Sequence, residues 1–485
     1  MAKQKPGFLS KEKKDIGVII IPAVFFLFSG FVFKLFSVDF SPLFLAVLFY
    51  VYARYMRKIE KLPAYIDLLI LTGLAAVLFL SIKQWFLFSA VKPERFILNA
   101  LYGGGTIFFV LLVMLLFENL ELSLLFSFFA SALAGSIEKG DFTLTISLFS
   151  AALCTSLLCY RIRRRSQIIN AGTIGGLAFF LIRLVVEDYQ SFSMISISDF
   201  SFLLSIGREG LAYALCGLGG ALLVNGALPI GEYVFKTVTS ISLLELSDFN
   251  HPLLRKMILE APGTYQHSLV VANLAESAAE SIGANPLLAR VGAYYHDIGK
   301  MTKSNYFVEN LMPYRDAHKD LKPSISKMII MNHVKEGVDM ALKHRLNPRI
   351  IDFIQQHHGK SLVYYFYHRA KELEPDKERE YQEEYRYPGP RPQSREVAIV
   401  SLADAIEALS RTLEEPTPSR LEEMVREVVR KKFFEGELDE SNLTLRDLER
   451  ITRSFVRVLN AIFHTRINYP KDESTSKKSA KTKED

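Results

Sequence analysis

Long apolar runs fill residues 16 to about 230, and they constrain the fold more than any other feature of the chain. A bilayer core asks for about 20 predominantly apolar residues per spanning helix. Backbone groups inside lipid must be satisfied within their own segment or in a closed barrel. Runs of this length therefore predict membrane helices. Candidate spans lie near 16–37, 40–54, 64–82, 97–117, 121–138, 142–160, 168–187 and 208–230, seven or eight in all because the second is short.

Loop charge orients these spans. Lys3, Lys5, Lys11, Lys13 and Lys14 precede the first; Arg54, Arg57, Lys58 and Lys61 follow the second; Arg161, Arg163, Arg164 and Arg165 follow the sixth. The positive-inside rule puts all three segments in the cytoplasm. Eight spans satisfy them together and return the chain to the cytoplasm near residue 231. The loop of Lys83, Lys92 and Arg95 is the exception, since this arrangement places it outside. The first span is an anchor by this reading, because its core is too long for a cleaved signal and no small-residue cleavage site follows. Only about SVDFSP separates it from the second span, which leaves no room for an outside domain there. Cys154, Cys159 and Cys216 all fall within spans, against a disulfide framework. Arg183 and Glu187, near the end of the seventh span, read as side chains that snorkel to the interface rather than line a ligand path.

Polarity changes sharply after the last span. The whole chain is 49% hydrophobic with a mean hydropathy of +0.17, yet residues 245–485 have the charge content of an ordinary globular domain. All ten histidines lie at or after His251. Residues 231–256 mix apolar and polar positions at helical spacing, which predicts a linker helix leaving the membrane. Residues 257–470 are almost all helix by pattern, interrupted by a charged, Pro-rich loop at 372–393; residues 1–15 form a cytoplasmic N-terminus and 471–485 a disordered tail. The fold class is thus all-α: a multi-pass transmembrane helical bundle followed by a cytoplasmic all-helical domain, at the cytoplasmic (inner) membrane.

Chemistry must come from that second half. His267 sits among apolar neighbours in TYQHSLV, His296 and Asp297 end a helix in YYHDIGK, His333 lies in MNHVKEG, His357 and His358 in QQHHGK, and Asp404 in LADAIEA. Each alone has a bland account. A single His on an apolar face is most often a hydrogen-bonded core residue. Asp297-Ile298-Gly299 can be a helix end with Gly299 left-handed. Paired histidines complement a helix dipole. Asp404 resists this treatment, because a carboxylate flanked by Leu402, Ala403, Ala405 and Ile406 is costly to bury unpaired. Seven ligand-type side chains on five helices, five of them His, suit two divalent ions bridged by a shared carboxylate. Mixed imidazole and carboxylate favours Fe, Mn, Co or Zn over Mg. Neighbouring helical residues point about 100° apart, so His296 and Asp297 can serve one ion only where the helix ends.

The order H…HD…H…HH…D, with the second element as HDIGK, resembles the HD-domain metal-dependent phosphohydrolases. An HD pair alone is common; the full order is specific. The stretches LEAPGTYQHSLVVANLAESAAESIGAN, YYHDIGKM, YFVEN, QQHHGKSLVYYFYHRA, RYPGPRPQSREVAIVSLADAIEALSRTL and FHTRINYP are similar to the 7TM-HD family of PgpH-type cyclic-di-AMP phosphodiesterases. The likeness is detailed over 240–470 and one of hydropathy alone over 16–230. No GYP follows HHGK, unlike the HD-GYP class acting on cyclic-di-GMP. The family usually carries a large extracytosolic domain after its first span, where this chain has SVDFSP.

The resemblance implies one metal held by His267, His296, Asp297 and Asp404, and a second held by His333, His357 and His358 with Asp297 as bridge. It implies Fe or Mn as the ions, cyclic-di-AMP as substrate and pApA as product. Lys300, one turn from Asp297, is expected to hold a phosphate oxygen, with a helix-dipole contact as its bland alternative; Lys360 and Arg391 rank as solvated charges. The alternatives are an HD phosphohydrolase for another nucleotide and a silent receptor that only binds one. The expected partners are this nucleotide and the lipid bilayer, with no nucleic acid polymer. A homodimer suits a helical domain on a membrane stalk, although no residue specifies one.

Overall fold

A helix that is apolar on every face can be covered only by lipid or by other helices. The computed structural model, which describes residues 62–89, 94–160, 162–187, 200–311, 317–373 and 382–463, shows both kinds of cover. Its chain divides into two units, Met1–Glu245 and Leu246–Asp485.

The first unit contains α1 (Leu62–Phe88), α2 (Arg95–Phe117), α3 (Leu120–Ile137), α4 (Phe142–Leu158), α5 (Arg165–Glu187) and α6 (Phe200–Phe235). Among the described residues, five helices are long and apolar enough to cross a membrane, and α4 is a shorter apolar helix of 17 residues. Helix α2 sits at the centre and packs against each of the other five. Its Gly103-Gly104-Gly105 run would weaken an isolated helix by about 1 kcal/mol per residue, but it permits close approach. A Cβ at Gly104 would lie 2.8 Å from the Cys216 carbonyl oxygen, and one at Gly220 would lie 2.6 Å from the Gly104 oxygen. Here α2 and α6 meet backbone to backbone, as small residues allow in membranes. Leu223, Val185 and Ile230 are each about two-thirds exposed, an outer surface suited to lipid tails.

Several expectations change in this unit. The spans expected at 16–37 and 40–54 lie outside the described residues, as does Lys92. Lys83 belongs to α1 rather than to a loop, and its ammonium sits 3.7 Å from Glu138, which also accepts from the Tyr102 hydroxyl at 2.9 Å. Arg95 lies 3.4 Å from Asp141. Both cations therefore meet a local acid. Arg183 is only 4% exposed, so its head group does not snorkel. The last membrane helix runs on through Pro229 to Phe235.

The linker at 231–256 is not one helix. Lys236 takes a left-handed φ of 49° and ends α6. Thr239 donates its N–H and hydroxyl to Glu232 Oε1, and α7 (Ser240–Leu246) begins there. A turn closed by Asp248, whose carboxylate accepts from the Asn250 N–H, leads into α8 (Pro252–Glu260). Apolar spacing cannot reveal a lysine that leaves the right-handed region.

The second unit continues with α9 (Pro262–Ser281), α10 (Pro286–Tyr295), α11 (Pro323–Lys343), α12 (Pro348–Gln356), α13 (Tyr364–Leu373), α14 (Arg395–Ser410), α15 (Pro418–Phe434) and α16 (Leu445–Ile462). Proline opens six helices from α8 onward, where its fixed φ suits the first turn and its missing N–H costs nothing. Among the described residues there is no strand, only one isolated bridge between Leu362 and Arg386. Helix α9 packs on α10, α14 and α16. Helix α14 is buried along most of its length, from Val397 to Ser410. These two buried helices carry His267 and Asp404. The tail at 471–485 lies outside the described residues.

Candidate metal centre

All seven expected ligand residues come together. His267 projects from α9, His333 from α11 and Asp404 from α14. His296 caps the C-terminus of α10, Asp297 follows it, and His357 caps α12 with His358 next. The ligand atoms of His267, His296, Asp297 and Asp404 all lie within 4.8 Å of one another, and those of His333, His357 and His358 form a second such group. Asp297 joins the groups. Its Oδ2 lies 3.2 Å from His296 Nε2 and 3.6 Å from His267 Nε2, while its Oδ1 lies 3.4 Å from His333 Nε2 and 3.6 Å from His357 Nε2.

Helix ends make this possible. The last carbonyls of a helix lack intrahelical N–H partners. His296 Nδ1 donates to the Ala293 oxygen at 2.7 Å, and His357 Nδ1 to the Phe353 and Ile354 oxygens at 3.0 Å. His333 Nδ1 donates to the Ile330 oxygen. With each Nδ1–H spent, the Nε2 lone pairs turn inward. His333 Nε2 and His357 Nε2 then face each other at 3.4 Å. His267 Nε2 faces Asp404 Oδ1 at 3.1 Å. Lone pairs facing lone pairs and carboxylate oxygens repel unless a proton or cation lies between them. Asp297 is 1% exposed, its Oδ1 and His296 Nε2 have no hydrogen-bond partner, and its Oδ2 meets the Lys300 ammonium at 2.7 Å. A buried set of such atoms fits divalent ions.

Electrostatics divide the cluster. Burial opposes charge on Asp297, but His296 and Lys300 outweigh it and hold the carboxyl well below its usual range. Burial also opposes charge on His296, yet Asp297 and Asp404 raise its pKa to about 10. Burial, reinforced by the charge of His296, pushes His357 down to about 3, and burial lowers His333 as well. One side of Asp297 attracts protons and the other repels them.

Lys300 lies against the same carboxylate, with Nζ 2.7 Å from Asp297 Oδ2 and 3.0 Å from Glu309 Oε1. Lys360 is exposed, and Arg391 lies 3.8 Å from Asp439. Gly299 is not left-handed. A Cβ there would stand 1.8 Å from the His333 carbonyl oxygen, so this glycine lets the HDIGK turn rest on α11. Gly359, with φ of 55°, is the left-handed residue, and it turns the chain after the histidine pair.

Three residues at the centre were missed from sequence. Glu407 accepts from His267 Nδ1, Glu309 holds Lys300, and Tyr387 stacks on the His358 ring at 4.3 Å. Glu407 had a readable signal, since it lies one turn beyond Asp404 on the same helix. Glu309 comes from a single 3₁₀ turn, Val308–Asn310, and Tyr387 from a loop, and neither segment is long enough to carry a helical spacing.

Two family models match the chain. One, described as a 7TM receptor with intracellular HD hydrolase, matches residues 35–239, and the other, described as an HD domain, matches 264–409. HD domains are metal-dependent, and the cluster could hold metal ions. The chain is 42% identical over 313 residues to the cyclic-di-AMP phosphodiesterase PgpH of Bacillus subtilis, covering 64% of this chain and 42% of that protein. It is 35% identical over 430 residues to the PgpH of Listeria monocytogenes, covering 83% of this chain and 58% of that one. The chain thus spans about half the length of these curated relatives. Among solved structures, the HD domain of Listeria monocytogenes PgpH in complex with cyclic-di-AMP is 43% identical, with a TM-score of 0.43, covering 45% of this chain and 100% of that one.

Proposed function

Because the chain belongs to the family of 7TM receptors with an intracellular HD hydrolase, we propose that it is a membrane-anchored phosphodiesterase that opens cyclic-di-AMP to linear pApA at the cytoplasmic face. The observation that carries the reading is Asp297. Its two oxygens face two separate histidine groups, a disposition that supports one carboxylate shared between two ions. His267, His296, Asp404 and Asp297 would hold one ion; His333, His357, His358 and Asp297 would hold the other. Fe and Mn suit this imidazole–carboxylate set. Such ions supply Lewis acidity, acidifying water at neutral pH and offsetting charge on phosphoryl oxygens.

The residues do the rest. The reaction adds water across one phosphodiester: the P–O3′ bond breaks, hydroxyl joins phosphorus and the 3′ oxygen takes the proton. Lys300 stays charged, because Asp297 and Glu309 outweigh the effect of burial and raise its pKa. Its ammonium, held beside Asp297, is the protein's own cation for a phosphate oxygen. Tyr387, only 8% exposed and stacked on His358, walls the second histidine group. Adenine as the base rests on the family resemblance and on the relatives' names. The complete ligand set speaks against a silent receptor, in which the loss of a ligand would be expected. The basic segments that flank the spans support a cytoplasmic second unit.

Incubating the full-length chain in detergent with Mn²⁺ or Fe²⁺, under reducing conditions and with a panel of cyclic dinucleotides, tests the reading. Conversion of cyclic-di-AMP to pApA is expected. Turnover confined to another nucleotide, or none at all, contradicts it.

A further inference from the structure

Four of the centre's histidines, His267, His296, His333 and His357, point Nδ1 away from the cluster, and they do not share one kind of partner. Three donate to neutral backbone carbonyls. His267 alone donates to a carboxylate, Glu407 Oε2, at 2.5 Å. Glu407 is 2% exposed and lies one turn beyond Asp404 on α14. Its other oxygen, Oε1, is held by Arg411, with Nε and Nη2 both at 2.5 Å. One helix therefore supplies a ligand, the group that aims a second ligand, and the cation that fixes that group.

We propose that Glu407 is a positioning residue that acts through His267, fixing its tautomer and strengthening Nε2 as a donor, so that it sets the affinity of the ion on the Asp404 side and not of the ion on the His333 side. The physical basis is that a carboxylate behind an imidazole stabilises the ring as a donor more than a neutral carbonyl does. The bland account is a buried ion pair between Glu407 and Arg411 that only stabilises α14. That account leaves metal affinity alone once the fold is intact. The inference rests on the two-metal reading, and its test separates the two.

The experiment is equilibrium dialysis of the full-length chain in detergent against Mn²⁺, with bound metal counted and thermal unfolding followed alongside. Wild type, Glu407→Gln, Glu407→Ala, His267→Ala and the Glu407→Ala/His267→Ala double variant are compared. Gln preserves the shape and an acceptor for Nδ1–H, so it is the deciding variant. One ion is expected to weaken about 10-fold in Glu407→Gln and about 100-fold in Glu407→Ala, while the other stays at wild-type affinity. The double variant should lose no more than His267→Ala alone. Two ions at wild-type affinity in Glu407→Gln and Glu407→Ala, or losses that add in the double variant, overturn the inference while leaving two-metal binding intact. Loss of the fold in both Glu407 variants assigns the residue to the core and also overturns it. A wild type that binds no ion overturns the two-metal reading itself.

Discussion

The two sides of Asp297 are built from similar side chains and behave oppositely toward protons. On the Asp404 side, carboxylates surround His296 and raise its pKa to about 10. On the other side three imidazoles meet, and His357 falls to about 3 because burial and the charge of His296 both disfavour its protonation. On the Asp404 side the carboxylates outweigh burial, whereas on the imidazole side burial and the charge of His296 outweigh the same two carboxylates. A cation on the Asp404 side must displace a proton, whereas the imidazole side already presents neutral donors at pH 7.

The largest effect is expected where the sides join. Asp297→Asn should lower turnover by about 10²–10³-fold or more, the scale seen when a charge-stabilising group is lost, and should lower the content of both ions together. Full activity or a full metal complement in that variant would refute the shared carboxylate. Next come variants that isolate one side. Asp404→Asn should keep the imidazole-side ion and His333→Ala the other, each binding one ion per chain.

The pH dependence of those two variants sharpens the contrast. Carboxylates raise the pKa of both His296 and His267 against burial, so the ion retained by His333→Ala should bind at least about tenfold more tightly for each unit of rising pH across the neutral range, as displaced protons require. His357 is neutral above about pH 3, so the ion retained by Asp404→Asn should bind almost independently of pH between about 6 and 8. Equal slopes in dialysis would erase the distinction between the sides. Lys300→Met should cut turnover about 10²-fold with both ions retained; an unchanged rate would assign Lys300 only to the Asp297–Glu309 contact. The smallest effect is structural. Gly299→Ala would push against the His333 carbonyl and cost about 1–3 kcal/mol in chemical unfolding, with the imidazole-side ion weakened first. Wild-type stability in Gly299→Ala would show that the turn does not rest on α11.

The seven clustered side chains were legible because the residue types that suit metal chemistry are conspicuous in sequence, and because two of the helix ends carry adjacent pairs. Glu309 and Tyr387 were not, since a single 3₁₀ turn brings in the one and a loop the other, and neither shows a periodicity. The bland account of Gly299 as a left-handed residue fails for a related reason: a glycine needed for close approach looks identical, in sequence, to one needed for a left-handed turn. The membrane half was legible as helices, because bilayer thickness fixes their length, with α2 and α5 close to their expected bounds. Its internal packing was not. The contact of Gly104 with α6 and the pairing of Lys83 with Glu138 depend on which faces meet, and apolar runs carry no face. Residues 231–256 failed as a single helix because Lys236 adopts a conformation its type rarely favours.

Anomalous diffraction from crystals of the manganese-loaded protein would show whether Asp297 joins two ions. Two peaks about 3.5–4 Å apart are expected, one beside His267, His296 and Asp404 and one beside His333, His357 and His358, with a different Asp297 oxygen on each. A single peak, or two peaks of which either lies out of reach of Asp297, would contradict it.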